Sequence, residues 1–154
     1  MKAIEIKAPN PLKDDGRVKV FLAGSIEMGK AEDWQEKVVK ELSDYPIQFL
    51  NPRRDDWDSS WEQSKEHKEF SKQVNWELDS LDKADFIIMY FDPETKSPIT
   101  MLELGIHAVS SPEKLVVLCT DGFWRKGNVD IVCERYGIKQ VNNFEELFAI
   151  FKTK

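Results

Sequence analysis

The chain has 154 residues, the usual size of one domain, and a domain of that length buries about 70% of its unfolded surface. A composition of 41% hydrophobic and 32% charged residues lies far from the disordered and membrane classes. A net charge of −6 and a pI near 5.1 argue against a duplex-coating nucleic-acid binder, which needs clustered Lys and Arg, but leave room for a small anion held by a few local donors.

Met1 to Gly16 carries Pro9, Asn10, Pro11 and the turn signal Asp14-Asp15-Gly16, so residues 1–17 read as an N-terminal arm, either an edge strand or a partner-binding tail. No charged-then-apolar leader opens it, and nowhere does an apolar run approach the length of a membrane span. A cytoplasmic protein without membrane contact is expected. From Val18 short apolar runs alternate with amphipathic stretches, the pattern of a parallel sheet covered by helices. The expected strands are Val18 to Leu22, Ile47 to Leu50, Phe86 to Tyr90, Leu115 to Cys119 and Lys139 to Val141. Helices are expected over Ala31 to Leu42, Ser64 to Lys83, Thr100 to Ser110, Asn128 to Tyr136 and Phe144 to Phe151, with apolar residues at three- and four-residue spacing. No repeat or linker interrupts this order. Residues 18–154 therefore read as a single α/β domain, a flavodoxin-like doubly wound sheet of five parallel strands. Cys119 falls in an apolar strand and Cys133 in a helix, which suits neither a disulfide scaffold nor a zinc site, and no metal or cofactor is expected.

Ligands of such sheets bind beyond the carboxyl ends of the strands, which directs attention to the segments after Leu22, Leu50, Tyr90 and Cys119. The first is Ala23-Gly24-Ser25-Ile26-Glu27-Met28-Gly29-Lys30, whose backbone N–H groups can face an anion or a sugar hydroxyl; it matches neither nucleotide fingerprint, and a plain strand-to-helix turn fits equally. The second, Asn51-Pro52-Arg53-Arg54-Asp55-Asp56-Trp57, is either a solvated turn with weak ion pairs or a base-recognition edge with an aromatic wall. Glu77 lies in the helix before the third strand and, taken alone, reads as a surface glutamate. Glu103 is different. It sits among Met101, Leu102, Leu104 and Ile106 early in a helix expected to be buried, where a carboxylate is costly without partners. It either caps backbone groups or attacks an anomeric carbon to form a covalent glycosyl intermediate.

Taken together, Val20-Phe21-Leu22-Ala23-Gly24-Ser25, Ala84-Asp85 with its strand, Met101-Leu102-Glu103-Leu104-Gly105 and Gly127-Asn128-Val129-Asp130 resemble the nucleoside 2-deoxyribosyltransferase family in order and spacing, from Val18 to about Gly137. The resemblance implies that Glu103 is the nucleophile and that Glu77, where the family has aspartate, protonates or orients the substrate. It also implies that Asn128 reaches a sugar hydroxyl in a neighbouring subunit, hence a homodimer or higher homo-oligomer with shared sites. Phe21 stands where the family often has a tyrosine near the sugar's 2′ side. The lost hydroxyl implies weaker discrimination against ribose, or another group restraining Glu103. Ser97, six residues before Glu103, matches a sugar-binding aspartate of the transferases and a phosphate-binding serine of related nucleotide hydrolases. Gly24, Ser25, Arg53, Asp56, Trp57 and Asp130 complete the expected substrate contacts, with Trp124 either a further base-side residue or, with Arg125, interface packing.

Three functions follow from the resemblance. The first is transfer of a deoxyribosyl group from a nucleoside to a second nucleobase, within nucleotide salvage. The second is hydrolysis of a nucleoside 5′-monophosphate to free base, with Ser25 and Ser97 on the phosphate. The third is nucleotide sensing without turnover, since a fold alone proves no activity.

Overall fold

The computed structural model describes residues 1–24, 33–54 and 60–153. Six parallel strands form one sheet in the order β1-β3-β2-β4-β5-β6: β1 Ile4–Lys7, β2 Val18–Gly24, β3 Ile47–Asn51, β4 Phe86–Phe91, β5 Leu115–Cys119 and β6 Lys139–Val141. The helices are α1 Trp34–Glu41, α2 Lys68–Lys83, α3 Pro98–Ser110, α4 Lys126–Tyr136 and α5 Phe144–Lys152. Without β1 the order is that of flavodoxin-like sheets, in agreement with the expected class.

The expected five strands become six, because the arm supplies β1, which pairs parallel with β3 from Ile4 opposite Gln48 to Lys7 opposite Asn51. Its four residues alternate apolar with charged side chains, as a short edge strand does to discourage further pairing. The arm then returns across the sheet. The Gln48 amide exchanges two hydrogen bonds with the Lys13 backbone, each 2.9 Å, and Trp76 Nε1 donates to the Asn10 carbonyl at 2.7 Å.

The central strands are buried on both faces, so their side chains divide between two cores. Phe21, Leu50, Ile87, Met89, Phe91 and Val117 pack beneath α2, α3 and α4, which contribute Leu81, Leu104, Ala108, Val129 and Cys133. Val20, Leu22, Phe49, Ile88, Tyr90 and Leu118 pack beneath α1 and α5 with Trp34, Val38, Leu147 and Phe151. Removing one such large side chain from water stabilises the fold by about 1.5–3 kcal/mol.

Helix α2 begins four residues later than expected. His67 Nδ1 accepts from the Phe70 N–H at 3.2 Å and caps the helix there, while the Ser64 hydroxyl bonds the Glu66 side chain in the preceding turn. At the carboxyl end of β2, Gly24 closes the strand where no side chain fits. A Cβ would lie 2.5 Å from the Tyr90 carbonyl oxygen and 2.6 Å from the Trp34 ring.

Candidate active site

The chain reverses direction across the sheet between β2 and β4, which opens a crevice at their carboxyl ends. The loop leaving β4 is fixed by its own hydrogen bonds. Buried Asp92 accepts from the Glu94 N–H through its carboxylate at 2.8 Å and from the Thr95 N–H and hydroxyl through its carbonyl, both at 3.1 Å. The Thr95 hydroxyl lies 2.9 Å from that of Ser97. Ser97 itself adopts φ 47°, ψ 51°, a left-handed conformation that costs a non-glycine residue about 1–3 kcal/mol and persists where its surroundings over-determine it. Pro98 then starts α3, its fixed φ suited to the first helical position.

That start sets the register that turns Glu103 inward. Glu103 is 5% exposed in the second turn of α3. Burial, reinforced by the Glu77 charge, pushes its carboxyl up to about 8. Glu77 is half-buried on α2, and burial raises it to about 7. The structure thus brings the two carboxyls into electrostatic contact from neighbouring helices. Among the described residues neither has a hydrogen-bond donor or a cation as partner, and Glu103 caps none of the described backbone groups. The helix itself is buried on one side only. Leu102 is 61% and Ile106 43% exposed, against the expectation that the apolar residues around Glu103 all face the core.

Phe21 is fully buried in β2 beneath α2, its ring 6.2 Å from that of Trp76, the neighbour of Glu77. It offers no hydroxyl to either acid. Arg53 lies against α1, on the sheet face opposite α2 and α3. Its guanidinium donates to Gln35 Oε1 at 3.3 and 3.2 Å and sits 3.6 Å from Asp33. Arg54 turns the other way, donating to Gln73 of α2 at 3.4 Å and lying 5.1 Å from the Trp61 ring. Ser25, Asp56 and Trp57 lie outside the described residues. Asn128 is exposed in the first turn of α4, beside a groove shared with α3, and Asp130 is engaged by Lys126 Nζ at 3.2 Å and Gln140 Nε2 at 2.9 Å. Trp124 is half-exposed, donates to the Lys96 carbonyl at 3.0 Å and carries the Arg125 guanidinium 4.5 Å from its ring.

The sequence reading passed over Asp92 and Thr95. Their signal was faint: polar residues in a polar turn, whose burial depends on the turn folding back against the strand ends.

The two cysteines are poor nucleophiles. Burial pushes the Cys119 thiol up to about 11 and that of Cys133 to about 12, far from the reactive thiolate. Among the described residues no three His, Cys, Asp or Glu side chains cluster as a metal site, and no helix is long and apolar enough to cross a membrane. The geometry offers carboxylate chemistry: one acid poised to lose its proton beside a second that can hold one.

Residues 17–123 match the family described as nucleoside 2-deoxyribosyltransferase like, and the chain belongs to it. Gly24, Glu77, Ser97 and Glu103 fall within the matched span, while Asn128 and Asp130 lie beyond it. No curated protein matches the chain.

Proposed function

We propose that this member of the nucleoside 2-deoxyribosyltransferase-like family cleaves the N-glycosidic bond of a nucleoside or deoxynucleoside and passes the sugar to a second nucleobase, with Glu103 as nucleophile. The observation that carries this reading is an almost fully buried carboxyl without a hydrogen-bond partner among the described residues, set against a second raised carboxyl at the mouth of an α/β sheet. A Glu103 carboxylate oxygen bonds to C1′ as the C1′–N bond breaks, and the departing base takes a proton from Glu77. In the second half the incoming base attacks C1′, Glu103 leaves, and Glu77 recovers a proton. Electrons and protons balance without a cofactor.

Burial raises both carboxyls toward neutrality, Glu103 to about 8 and Glu77 to about 7, so near pH 7 the pair holds about one proton, mainly on Glu103, and attack proceeds from the form in which that proton has passed to Glu77. On this reading the protein serves cytoplasmic nucleotide salvage as a homo-oligomer, with Asn128 presented to a neighbouring site.

Hydrolysis of 5′-monophosphates is the second reading, and one observation favours it. Among the described residues the N-terminus of α3 has no side-chain cap and no acidic residue in its first turn, so its positive pole suits an anion there. Incubation with deoxynucleosides plus a free acceptor base, and separately with deoxy- and ribonucleoside monophosphates, separates the readings. Base exchange supports transfer; base release from monophosphates supports hydrolysis. Neither product would leave the protein a nucleotide sensor. Glu103→Ala should abolish turnover with the fold intact, and full activity in that variant would sink the nucleophile assignment. Ser97→Asp should weaken use of monophosphates more than of nucleosides; equal effects count against the phosphate contact.

A further inference from the structure

The N-terminal arm encloses a space that the crevice of Glu77 and Glu103 does not use. Leaving β1, the arm runs back over α2 and is held at two points, Asn10 by the Trp76 indole N–H at 2.7 Å and the Lys13 backbone by the Gln48 amide at 2.9 Å. Between these anchors Pro11 and Leu12 form one wall of a cavity of about 240 Å³, and Trp76, Asp79, Ser80 and Lys83 of α2 form the other. Lys83 ends α2 just before β4 begins at Phe86, so the cavity lies toward the amino ends of the strands, away from the crevice at their carboxyl ends. Because the arm is fixed on both sides of Pro11 and Leu12, the space is formed before anything enters it.

Ser80 is an independent sign that something does. It is 1% exposed, and its hydroxyl has no hydrogen-bond partner. A helical serine can return its hydroxyl to the carbonyl one turn back, and nearly all buried polar groups find a partner because an unmet one costs stability. Rotation about χ1 moves a serine hydroxyl between staggered positions, so a ligand in the cavity can supply the partner that the chain does not. Asp79 and Lys83 are also unspent. One turn apart with the acid first, they have the spacing of a helical ion pair, yet among the described residues neither has an ionic or hydrogen-bonding partner.

Size and chemistry together select the ligand. The volume falls just below that of sites for drug-sized molecules, about 300–1,000 Å³, and suits one small ring system better than a nucleotide. Pro11, Leu12 and Trp76 supply apolar walls, and the Trp76 N–H is already given to Asn10, which leaves its ring for contact. Along α2 the polar groups run acceptor, hydroxyl, donor: Asp79, Ser80 and Lys83. One acid and one base ask for no net charge, and both are exposed, where an ionic partner gains little. A flat, neutral body with donors and acceptors along one edge meets all of these conditions.

We propose that the cavity between the arm and α2 is a second small-molecule site, separate from the catalytic crevice, for a neutral planar nitrogen heterocycle with the chemistry of a free nucleobase. The ring lies against Trp76, and its polar edge meets Ser80, Asp79 and Lys83. The site stands whether or not the protein transfers a glycosyl group.

Nuclear magnetic resonance on the ¹⁵N-labelled full chain tests it. Of the five tryptophan indole signals, that of Trp76 is identified by its loss in Trp76→Phe. Adenine titrated to millimolar concentration should shift the Trp76 signal to saturation, and glycine, a zwitterion without a ring, should not. Ser80→Ala should fold as the wild type does, because the hydroxyl makes no bond within the chain, and should weaken adenine binding roughly five- to ten-fold, the worth of one hydrogen bond. Lys83→Ala, at an exposed position, should weaken it as well, while Glu103→Gln should leave the affinity read at Trp76 unchanged. A Trp76 signal that adenine does not move, or equal affinity in the wild type, Ser80→Ala and Lys83→Ala, overturns the site. Saturation by glycine overturns the heterocycle as its ligand, and an affinity at Trp76 that falls in Glu103→Gln overturns its separation from the crevice.

Discussion

Glu103→Gln should stabilise the protein, and by an amount that depends on pH. The wild-type carboxyl sits at about 8 in the fold against an ordinary 4.5. Between these values the folded chain keeps a proton that the unfolded chain has released, so stability falls as pH rises through the window and levels off above it. At about 1.4 kcal/mol per unit, the full cost of ionising Glu103 in the fold approaches ~5 kcal/mol at pH 8.5, compared with about 1 at pH 5. Water entering the cleft relaxes the ionised state, which reduces the difference between the two pH values to about 2–3 kcal/mol. Glutamine has the shape of the protonated acid and no charge to lose. Urea unfolding followed by circular dichroism should place the two midpoints close together at pH 5 and separate them by roughly 1–2 M at pH 8.5, with the variant the more stable and the slope unchanged. An equal gain at both pH values, or a variant less stable at pH 8.5, would refute the premise that Glu103 is buried without a compensating partner.

Two further outcomes follow from the same geometry. The pH profile of kcat/KM should be bell-shaped with its limbs near 7 and 8, set by the carboxyl pair, and Glu77→Gln should remove one limb while lowering the maximum about 10²–10⁴-fold; a two-limbed profile in that variant counts against Glu77 as the acid. Gly24→Ala should cost about 1–3 kcal/mol, since its Cβ would press on the Tyr90 carbonyl and the buried Trp34 ring, and a thermal midpoint equal to the wild type would show that the strand end can yield.

The fold was legible because strands buried on both faces must be written as continuous apolar runs. Val20 to Leu22, Phe86 to Tyr90 and Leu115 to Cys119 could hardly lie elsewhere than in the middle of the sheet. Ile4 to Lys7 was harder to read, since an edge strand of four residues pairs on one side only and alternates charge with apolar residues as an exposed arm also does. Around the site, adjacency in sequence concealed divergence in space. Arg53 and Arg54 stand side by side, but one reaches Gln35 on one face of the sheet and the other Gln73 on the opposite face. Successive residues of an extended segment point to opposite sides, and only the register decides which goes where.

Glu103 shows where such reading stops. An acid among Met101, Leu102, Leu104 and Ile106 announces an unusual environment, and the fold confirms its burial. The same pattern, apolar all round the helix, does not distinguish the side chains covered by their own sheet from those left exposed. Leu104 and Ala108 go inward, while Leu102, Ile106 and Val109 do not. The sheet beneath α3 accounts for one half of that helix. The exposed half, Leu102, Ile106 and Val109, follows the same apolar pattern as the covered half, and only the packing of the sheet separates the two.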